Sequence, residues 1–231
     1  NTKTGRFVLV DQYETVGGGI ISMEGYPNQR GRHNVVSTNI EAVTSKIDQK
    51  TRASVNGHKG GIIWLTGLSG AGKSTIAIEA ERQLFQKGYQ IYVLDGDNIR
   101  FGLSADLGFT PADRTENIRR IGEVAKLFAD AGVVVITAFI SPYRDDRNRV
   151  RAIAPDQFHE VFIKADLSTC ETRDPKGLYA KARNGEIEDF TGVSAPYEEP
   201  TDANLIIDTG AQHIDQSVSK LLDYVSLNFK S

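Results

Sequence analysis

Several residue types and patterns are scarce in this chain of 231 residues, and each scarcity excludes a class of protein. There is one cysteine, Cys170, which leaves no partner for a disulfide within the chain and no cysteine-rich metal site. A single cysteine is typical of proteins from a reducing compartment. No apolar run approaches the roughly 20 residues that a membrane-spanning helix needs. The formal net charge of −3 disfavours a general binder of nucleic acids or of membrane surfaces.

The start of the sequence is polar and carries Asn1 in place of methionine. A polar start predicts that there is no signal peptide, and the missing methionine suggests a fragment of a longer protein. The apolar content of 39% and the charged content of 25% are ordinary for a globular protein. We therefore expect a cytoplasmic protein with one large domain, or one domain with an appendage, and with neither nucleic-acid nor membrane partners.

What the chain does have is a complete phosphate-binding loop, G-x-x-x-x-G-K-[ST], at residues 67–75. An apolar run at residues 62–66 precedes the loop, and a helical pattern follows it, which is the context in which this motif binds nucleotide phosphates. Backbone N–H groups would surround the phosphate oxygens, Lys73 would reach the β- and γ-phosphates, and Ser74 would ligate Mg²⁺. A glycine-rich helix entry without chemistry is disfavoured, because Lys73 and Ser74 are both in register.

Strands and helices alternate from residue 61 onward. Periodicity and turn residues predict strands at residues 61–66, 90–94, 133–140, 160–164 and 204–208. They predict helices after the phosphate-binding loop and at about residues 115–131, 144–153 and 214–225. This alternation predicts a three-layer α/β/α fold of the P-loop NTPase type, with a mostly parallel sheet that helices cover on both faces.

Residues 1–58 do not show the alternation of strands and helices that is predicted from residue 61 onward. Two short β-like runs, at residues 7–10 and 16–22, predict a hairpin, which a linker at 27–34 and a weak helix at about 37–51 follow. A lone hairpin is marginal in water, so we expect the remnant of a neighbouring β-domain. The predicted domains are a remnant at residues 1–30, a linker with a helix at 31–58, and a P-loop domain at 59–231.

Two carboxylates, Asp95 and Asp97, follow the second predicted strand of the α/β region. Ligands gather at the carboxyl ends of strands in an open parallel sheet, where these residues are expected. One carboxylate would hold Mg²⁺ through water and the other would accept a proton from an attacking hydroxyl, as phosphoryl transfer requires. The alternative is that residues 95–98 form only a turn. Their distance of about twenty residues from Lys73 favours the functional interpretation.

Further candidates are less specific. Arg100 and Arg114 flank a loop with Phe109, and these residues suit a ligand with an anionic group and a planar base. A solvated, charged loop is an equally good interpretation. Ser141 follows a very apolar strand, where it would contact the transferring phosphate or be phosphorylated. The sequence alone favours a third role for Ser141, as the N-cap of the next helix.

Residues 173–197 are charged and contain glycines, which is typical of a mobile lid. Its basic residues include Arg173, Lys176, Lys181 and Arg183. Such a lid can close over ATP, exclude water and neutralise developing charge. The alternative is an ordinary exposed helix with charge pairs.

Together these blocks carry a resemblance to a known family. Residues 59–226 resemble the adenylylsulfate (APS) kinases, which make 3′-phosphoadenylylsulfate. Many families share the loop, whereas the later blocks in this order are specific. The blocks are Gly-Leu-Ser-Gly-Ala-Gly-Lys-Ser-Thr (67–75), Asp-Gly-Asp-Asn-Ile-Arg (95–100), Leu-Gly-Phe-Thr (107–110), Asp-Arg-Thr-Glu-Asn-Ile-Arg-Arg (113–120), Phe-Ile-Ser-Pro-Tyr-Arg (139–144), Arg-Asp-Pro-Lys-Gly-Leu-Tyr (173–179), Lys-Ala-Arg-Asn-Gly-Glu-Ile (181–187) and Asp-Phe-Thr-Gly-Val (189–193).

The resemblance implies transfer of the γ-phosphoryl group of ATP to the 3′-hydroxyl of adenylylsulfate, with Mg²⁺. It implies that ATP is bound by Gly67, Gly70, Ala71, Gly72, Lys73, Ser74, Thr75 and Arg173. It implies that adenylylsulfate is bound by Asp97, Asn98, Ile99, Arg100, Phe109, Arg114, Asn117, Ile140, Ser141, Lys176, Asp189 and Phe190. The catalytic residues that it implies are Lys73, Asp95, Asp97 and Ser141.

Within this set, the resemblance implies that Asp97 lies close to the 3′-hydroxyl and that Asp95 lies near the metal, through water. Phe109 would stack on the adenine of the substrate. Ser141 matches the position described in the family as a phosphoserine intermediate, although direct in-line transfer needs no covalent step. The sequence departs from the family at Phe101, where His or Gln is more usual.

The start of the chain resembles a different protein. Residues 6–11 and 15–21 resemble the last strands of the third domain of the translation-factor-like GTPase subunit of sulfate adenylyltransferase. This implies the C-terminal part of a fused, bifunctional sulfate-activating protein. The expected partners are then the small subunit of sulfate adenylyltransferase and a second copy of the chain, as a dimer.

Two other functions stay open on the sequence. A kinase for another small hydroxyl compound, such as a nucleotide or a sugar acid, would use the same loop, although Arg100, Phe109 and Arg114 favour a nucleotide-like anion. A non-enzymatic nucleotide switch would be a GTPase, but the sequence lacks the Asn-Lys-x-Asp motif that reads guanine. Residues 189–192 match D-x-x-G but lie too late in the fold to act as its switch.

Overall fold

A computed structural model of the chain describes residues 4–11, 14–22, 41 and 43–231. These fall into two units, Asn1–Thr44 and Ser45–Ser231. In the first unit, strands β1 (Thr4–Asp11) and β2 (Glu14–Ser22) pair antiparallel, with an irregularity between Leu9 and Val10. The predicted hairpin is present, with longer strands than the apolar runs indicated. The predicted linker at residues 27–34 lies outside the described residues.

The second unit is built on a sheet of five parallel strands in the order β4-β5-β3-β6-β7. The strands are β3 (Gly61–Thr66), β4 (Ile91–Asp95), β5 (Val134–Ala138), β6 (Phe158–Lys164) and β7 (Leu205–Asp208). The helices are α1 (Gln49–Asn56), α2 (Lys73–Gln86), α3 (Gly96–Phe101), α4 (Pro111–Asp130), α5 (Arg144–Ile153), α6 (Leu167–Arg173), α7 (Leu178–Arg183) and α8 (Ile214–Asn228). Among the described helices, none is both long and apolar enough to cross a membrane. The predicted three-layer α/β/α fold is confirmed.

Alternate residues of the central strand point to opposite sides, so both faces of the sheet carry apolar side chains. Helices cover both faces and bury these side chains. On one face, Ile63 and Leu65 of β3 pack with buried side chains from α2 and α8. On the other face, Ile62 and Trp64 pack with buried side chains from α4 and α5. A fully buried aliphatic side chain contributes about 1.5–3 kcal/mol. Because β3 is buried along its whole length, it is a rigid support for the loop that follows it.

The two edge strands of the sheet are each bonded by a charged side chain from a helix. On β4, the N–H of Val93 donates to Glu81 Oε1 of α2 at 3.0 Å. On β7, the carbonyl oxygen of Ile206 accepts from Lys220 Nζ of α8 at 2.9 Å. Each of these side chains therefore bonds to one peptide group on the outer side of its edge strand.

The two largest differences between predicted and observed helix boundaries are at the starts of α4 and α1. α4 begins at Pro111 and not near residue 115, because the Thr110 side chain caps it and accepts from the N–H of Asp113 at 3.2 Å. The predicted helix at residues 37–51 is wrong in its position. Residues 43–48 are not helical, and α1 starts only after its N-cap Asp48, whose carboxylate accepts from the N–H of Thr51 at 2.7 Å. Residues 37–40 and 42 lie outside the described residues.

Parallel strands place all their carboxyl ends at one edge of the sheet. The phosphate-binding loop follows β3 at this edge, and Asp95 ends β4 beside it. Residues 139–141 follow β5, which lies between β3 and β4. The lid region, residues 173–197, comes after β6 on the other side of β3. This edge is where ligands of open α/β sheets bind.

Candidate active site

Glycines shape the phosphate-binding loop between β3 and α2. Gly67 has φ 153°, and a Cβ atom there would lie 2.3 Å from the carbonyl oxygen of Ile163. Gly70 has φ 76°, and its Cβ atom would lie 3.0 Å from the carbonyl oxygen of Cys170. Both positions therefore require glycine. The loop leads directly into α2, whose first turn holds Lys73, Ser74 and Thr75, so that free N–H groups of the helix face the loop.

Lys73 is the only lysine that is buried among the described residues. Its Nζ donates to the carbonyl oxygens of Gly67 at 2.9 Å and Leu68 at 2.7 Å. Burial disfavours the charged form and lowers the pKa of Lys73 to about 8. A phosphate group near Nζ would favour the charged form again, so Lys73 is suited to bind an anion that enters the loop.

Ser74 and Asp95 meet between α2 and β4. Ser74 Oγ donates to Asp95 Oδ2 at 2.6 Å, and Asp95 Oδ1 accepts from the N–H of Asp97 at 3.0 Å. Asp95 is the N-cap of α3, so residues 95–98 begin a helix and do not form a plain turn. A hydroxyl and a carboxylate oxygen side by side fit Mg²⁺, which takes one or two such ligands with water and phosphate oxygens. The described residues contain no group of three or more acidic, histidine or cysteine ligands.

Asp97 projects from the first turn of α3 and forms an ion pair with Lys176, which lies between α6 and α7. The two residues are 79 positions apart in the sequence. Both side chains are more than half exposed, so the pair contributes at most about 1 kcal/mol. A weak pair of this kind is readily exchanged for contacts to a ligand. The structure therefore brings the predicted proton acceptor together with a predicted lid residue.

Arg100 and Phe109 face each other at the mouth of the site. The guanidinium carbon of Arg100 lies 4.2 Å from the centre of the Phe109 ring, and Nη1 donates to the carbonyl oxygen of Gly108 at 2.9 Å. Phe109 itself is 63% exposed, so one face is free for another planar group. Asn98 and Ile99 belong to the same helix as Arg100, and Ile99 packs against the core. These contacts order part of the loop, although most of its residues are exposed to solvent.

Arg114 of α4 joins this loop to the end of the lid region. It donates to the carbonyl oxygens of Phe109 at 2.8 Å and Asp189 at 2.5 Å, and to Thr191 Oγ1 at 2.6 Å. Burial lowers the pKa of Arg114, and the nearby Tyr143 and Asp189 oppose this effect. Asp189 has φ 53°, which is unusual for a residue other than glycine and marks a locally constrained backbone.

Asn117, one turn further along α4, is a buried polar residue with an unused acceptor. The side chain is almost fully buried, and its Oδ1 accepts no hydrogen bond from the described residues. Buried side-chain oxygens nearly always have a partner. The unused acceptor is therefore consistent with a ligand donor at this position.

Ile140 and Ser141 lie in an irregular backbone segment after β5, which we call the Ser141 turn. Ser141 is 2% exposed and has φ 41°. Its Oγ accepts from Trp64 Nε1 at 3.1 Å, and the carbonyl oxygen of Ile140 accepts from Thr66 Oγ1 at 2.8 Å. The prediction that Ser141 caps the next helix is wrong, because Tyr143 occupies the N-cap position of α5. The turn also explains why β5 ends at Ala138, two residues before the predicted end.

The lid region begins at Arg173, the last residue of α6, and contains the short helix α7. Arg173 donates to Thr209 Oγ1 at 3.1 Å and to the Thr209 carbonyl oxygen at 2.6 Å, beside the loop residue Gly70. Tyr179 Oη donates to the carbonyl oxygen of Ser69 at 3.0 Å, and the buried Phe190 packs edge-on against Tyr179. The alternative of a helix with charge pairs also has support, since Arg183 of α7 pairs with Glu171 of α6.

Sequence reasoning missed three residues that support the site. Thr209, just after β7, donates from Oγ1 to the carbonyl oxygen of Ala71 at 2.8 Å. Tyr197 Oη lies 3.0 Å from Thr66 Oγ1. Arg147 of α5 is buried and donates to the carbonyl oxygen of Ser141 at 2.7 Å. No local pattern indicates Tyr197 or Arg147, whereas the position of Thr209 after a predicted strand was a usable signal.

The fold and the site together define a class of protein. A parallel sheet, a phosphate-binding loop with a buried lysine, and a serine–aspartate pair beside it are the parts of a P-loop kinase. Asp97 lies in the first turn of the helix after Asp95, and Arg114 bonds to the carbonyl oxygen of the exposed Phe109.

Comparisons with known proteins identify the family. The family model described as Adenylylsulphate kinase matches residues 59–208. The adenylyl-sulfate kinase of Bacillus pumilus is 60% identical over 182 residues, which cover 78% of this chain and 92% of that protein. The structure of the Mycobacterium tuberculosis APS kinase with AMPPNP and APS has a TM-score of 0.68 and 49% identity, over 71% of this chain and 96% of that chain. A hexameric APS kinase from Thiobacillus denitrificans has a TM-score of 0.56 and 33% identity, over 74% of this chain and 30% of that chain. The present chain belongs to the adenylylsulfate kinase family.

Proposed function

We propose that this chain transfers the γ-phosphoryl group of ATP to the 3′-hydroxyl of adenylylsulfate, which gives ADP and 3′-phosphoadenylylsulfate. This proposal rests on one main observation, which is that the nucleotide half and the acceptor half of the site are in contact. Ser74 of the phosphate-binding loop bonds to Asp95, and Asp95 bonds to the backbone of Asp97. In a chain of this family, the loop binds ATP, and the pocket beyond Asp97 binds the acceptor.

The nucleotide half uses the loop and one lid residue. The backbone N–H groups of Gly67, Gly70, Ala71, Gly72 and Thr75 surround the phosphates, while Lys73 neutralises their charge. Arg173, which Thr209 holds beside Gly70, covers the nucleotide. Ser74 would hold Mg²⁺ directly and Asp95 would hold it through water, and the ion would neutralise further charge on the phosphates.

The acceptor half suits an adenine nucleotide with a strongly anionic end. The free face of Phe109 stacks on the adenine, a type of contact that contributes roughly 1–3 kcal/mol per base. Arg100, Arg114 and the unused Oδ1 of Asn117 contact the substrate at the same pocket. Asn98, Ile99, Ile140, Lys176, Asp189 and Phe190 complete its wall.

In the reaction, the 3′-oxygen attacks the γ-phosphorus in line with the bridging oxygen of ADP, which leaves. Asp97 accepts the proton of the hydroxyl. In the ligand-free chain Asp97 is paired with Lys176, so substrate must displace a weak ion pair before Asp97 can act. Lys176 is then free to contact the phosphosulfate group.

Ser141 lines the pocket in this proposal and is not a phosphorylated intermediate. Its Oγ is buried and already accepts from Trp64 Nε1 at 3.1 Å. A phosphoserine would introduce a charge of about −2 into this enclosed position. Direct in-line transfer makes such a step unnecessary.

The test is ADP release by the purified chain with MgATP, with and without adenylylsulfate. AMP and gluconate serve as control acceptors, since they represent a nucleotide and a sugar acid. We expect strong stimulation by adenylylsulfate alone. Equal stimulation by AMP or gluconate would instead indicate one of the other small-molecule kinases.

The proposal extends to the parent protein and its assembly. The resemblance of residues 6–11 and 15–21 supports a cytoplasmic, bifunctional protein that combines this kinase with the large subunit of sulfate adenylyltransferase. Its partners would be the small subunit and a second copy of the chain. Co-elution of the chain with the purified small subunit, and the mass of the chain alone by light scattering, test these two partners separately.

A further inference from the structure

Arg147 of α5 is a charged side chain that the protein encloses, with 1% of its surface exposed. Its guanidinium group donates in three directions. Nε donates to Glu160 Oε1 at 2.6 Å, Nη1 to the carbonyl oxygen of Ser141 at 2.7 Å, and Nη2 to the carbonyl oxygen of Glu198 at 2.7 Å. The proposed phosphoryl transfer makes no direct use of this group.

The second acceptor, the carbonyl oxygen of Ser141, belongs to the constrained turn in the wall of the acceptor pocket. Trp64 Nε1 bonds to the Ser141 side chain, and Thr66 Oγ1 bonds to the carbonyl oxygen of Ile140. Arg147 adds the bond to the main chain of Ser141 itself. A backbone with φ 41° persists only where its surroundings hold it, and these three donors do so.

The third acceptor lies in the segment that leads from the lid back to the sheet, residues 195–199, which we call the return segment. The N–H of Glu198 donates to the carbonyl oxygen of Pro142 at 2.9 Å. Tyr197 Oη lies 3.0 Å from Thr66 Oγ1, and the Tyr197 ring is 5.9 Å from the guanidinium carbon of Arg147. Arg147 therefore bonds the return segment and the Ser141 turn at the same time.

We propose that Arg147 is a positioning residue that fixes the Ser141 wall of the acceptor pocket relative to the return segment of the lid. The inference rests on the proposed function, because the Ser141 turn matters only if the acceptor binds there. Arg147 acts through the Ser141 turn and touches neither substrate.

The contacts of Arg147 favour positioning over a purely stabilising role. Burying an arginine and a glutamate costs much of the free energy that their attraction returns, so a buried ion pair alone is a weak source of stability. The planar guanidinium group has a geometric ability that a lysine lacks, since it donates along several fixed directions at once. Here two of the three directions end on main-chain oxygens, which a charge partner alone would not require.

Arg147→Lys is the variant that separates the two roles, because it keeps a positive charge beside Glu160, which also pairs with Arg151, but cannot satisfy all three acceptors. Steady-state kinetics would be measured for both substrates at a temperature well below unfolding. We expect the KM for adenylylsulfate to rise about tenfold, equivalent to about 1.4 kcal/mol, with the KM for ATP unchanged. Arg149→Lys is the matched control, because Arg149 lies on the same helix, pairs with Asp146 and is exposed.

Trp64 gives a second readout, since it is the single tryptophan of the chain and it bonds to Ser141. We expect the Arg147→Lys variant to shift the tryptophan emission and to weaken its response to adenylylsulfate. If this variant does not fold, Tyr197→Phe takes its place, because it removes only the bond to Thr66. It should raise the KM for adenylylsulfate by a smaller factor, again without changing the KM for ATP.

The outcomes distinguish this inference from the proposed function. Wild-type kinetics and emission in Arg147→Lys, or in Tyr197→Phe if that variant replaces it, would overturn the positioning role. So would an equal rise in both KM values, which indicates general loss of structure. A wild-type chain that does not phosphorylate adenylylsulfate would remove the proposed function itself.

Discussion

The phosphate-binding loop depends on glycine backbone geometry that one local motif supplies, although distant side chains also bond to its carbonyl oxygens. The proposed acceptor pocket instead consists mainly of side chains from distant parts of the chain. In the loop, Gly67 and Gly70 allow close approach to Ile163 and Cys170. In the acceptor pocket, Arg114 bonds to Asp189 75 residues later, and Ser141 bonds to Trp64 77 residues earlier. Substitutions in the two halves should therefore have different effects on ligand binding. Changes in the acceptor half should spare ATP binding, and changes in the loop backbone should not.

The largest expected effect comes from Asp97→Asn, which removes the proton acceptor and keeps its shape. General base catalysis contributes about 10²–10⁴ in rate, so kcat should fall by that order while the dissociation constant of ATP stays the same. Stopped-assay kinetics and calorimetric titration with ATP measure the two quantities. Asp223→Asn on α8 is the control, since that residue is exposed and remote in the fold. Unchanged turnover in Asp97→Asn would remove this residue from the mechanism.

Gly67→Ala tests the backbone character of the loop. The added Cβ atom would lie 2.3 Å from the carbonyl oxygen of Ile163, so either the loop or β6 must move. The free energy of unfolding should fall by about 2 kcal/mol or more, and ATP binding should be lost. Gly102→Ala is the matched control, because no atom lies within 4 Å of a Cβ there. Urea denaturation that gives the same stability for both variants would contradict the importance of the loop backbone.

The pH dependence of ATP binding tests the buried lysine of the loop. Burial lowers the pKa of Lys73 to about 8, so in the ligand-free chain Lys73 loses its proton as the pH rises through this value. If only the charged form binds ATP well, the dissociation constant should be about ten times higher at pH 9 than at pH 7. Lys73→Met should bind ATP more weakly, with little change over this range. An equally steep change in Lys73→Met would assign the titration to another group.

Phe109→Leu should have the smallest effect and should be confined to the acceptor half. Loss of stacking on the adenine should raise the KM for adenylylsulfate about fivefold, with the KM for ATP unchanged. Phe101→Leu is a close control, since Phe101 is an exposed aromatic residue on the neighbouring helix α3. Similar kinetics for the two variants would show that the position of the Phe109 ring has no particular role.

The same contrast explains what could be predicted from the sequence. The loop at residues 67–75 and the carboxylates Asp95 and Asp97 were predictable because their chemistry depends on consecutive residues. Short apolar runs between turn residues predicted all the strands of the parallel sheet for the same reason. Asn117 and Phe190 have no local signature, and only the resemblance to a family indicated them.

The errors arise where a local pattern competes with a distant partner or with a better local cap. A serine before a proline and a helix is typical of an N-cap, but Ser141 instead bonds to Trp64 and Arg147, which no local pattern shows. The helix prediction at residues 37–51 gave too much weight to weak propensity. Asp48 and Gly57, a capping carboxylate and a glycine with φ 73°, define the actual ends of α1.

The charged helix side chains that bond to the two edge strands have a consequence for the behaviour of the protein at high concentration. An edge strand with free peptide groups is a template for another chain, and aggregation often starts there. Glu81 occupies a donor on β4, and Lys220 occupies an acceptor on β7. An incoming strand would have to displace the negatively charged Glu81 at one edge or the positively charged Lys220 at the other. Extension of the sheet at either edge would therefore require the loss of one of these bonds.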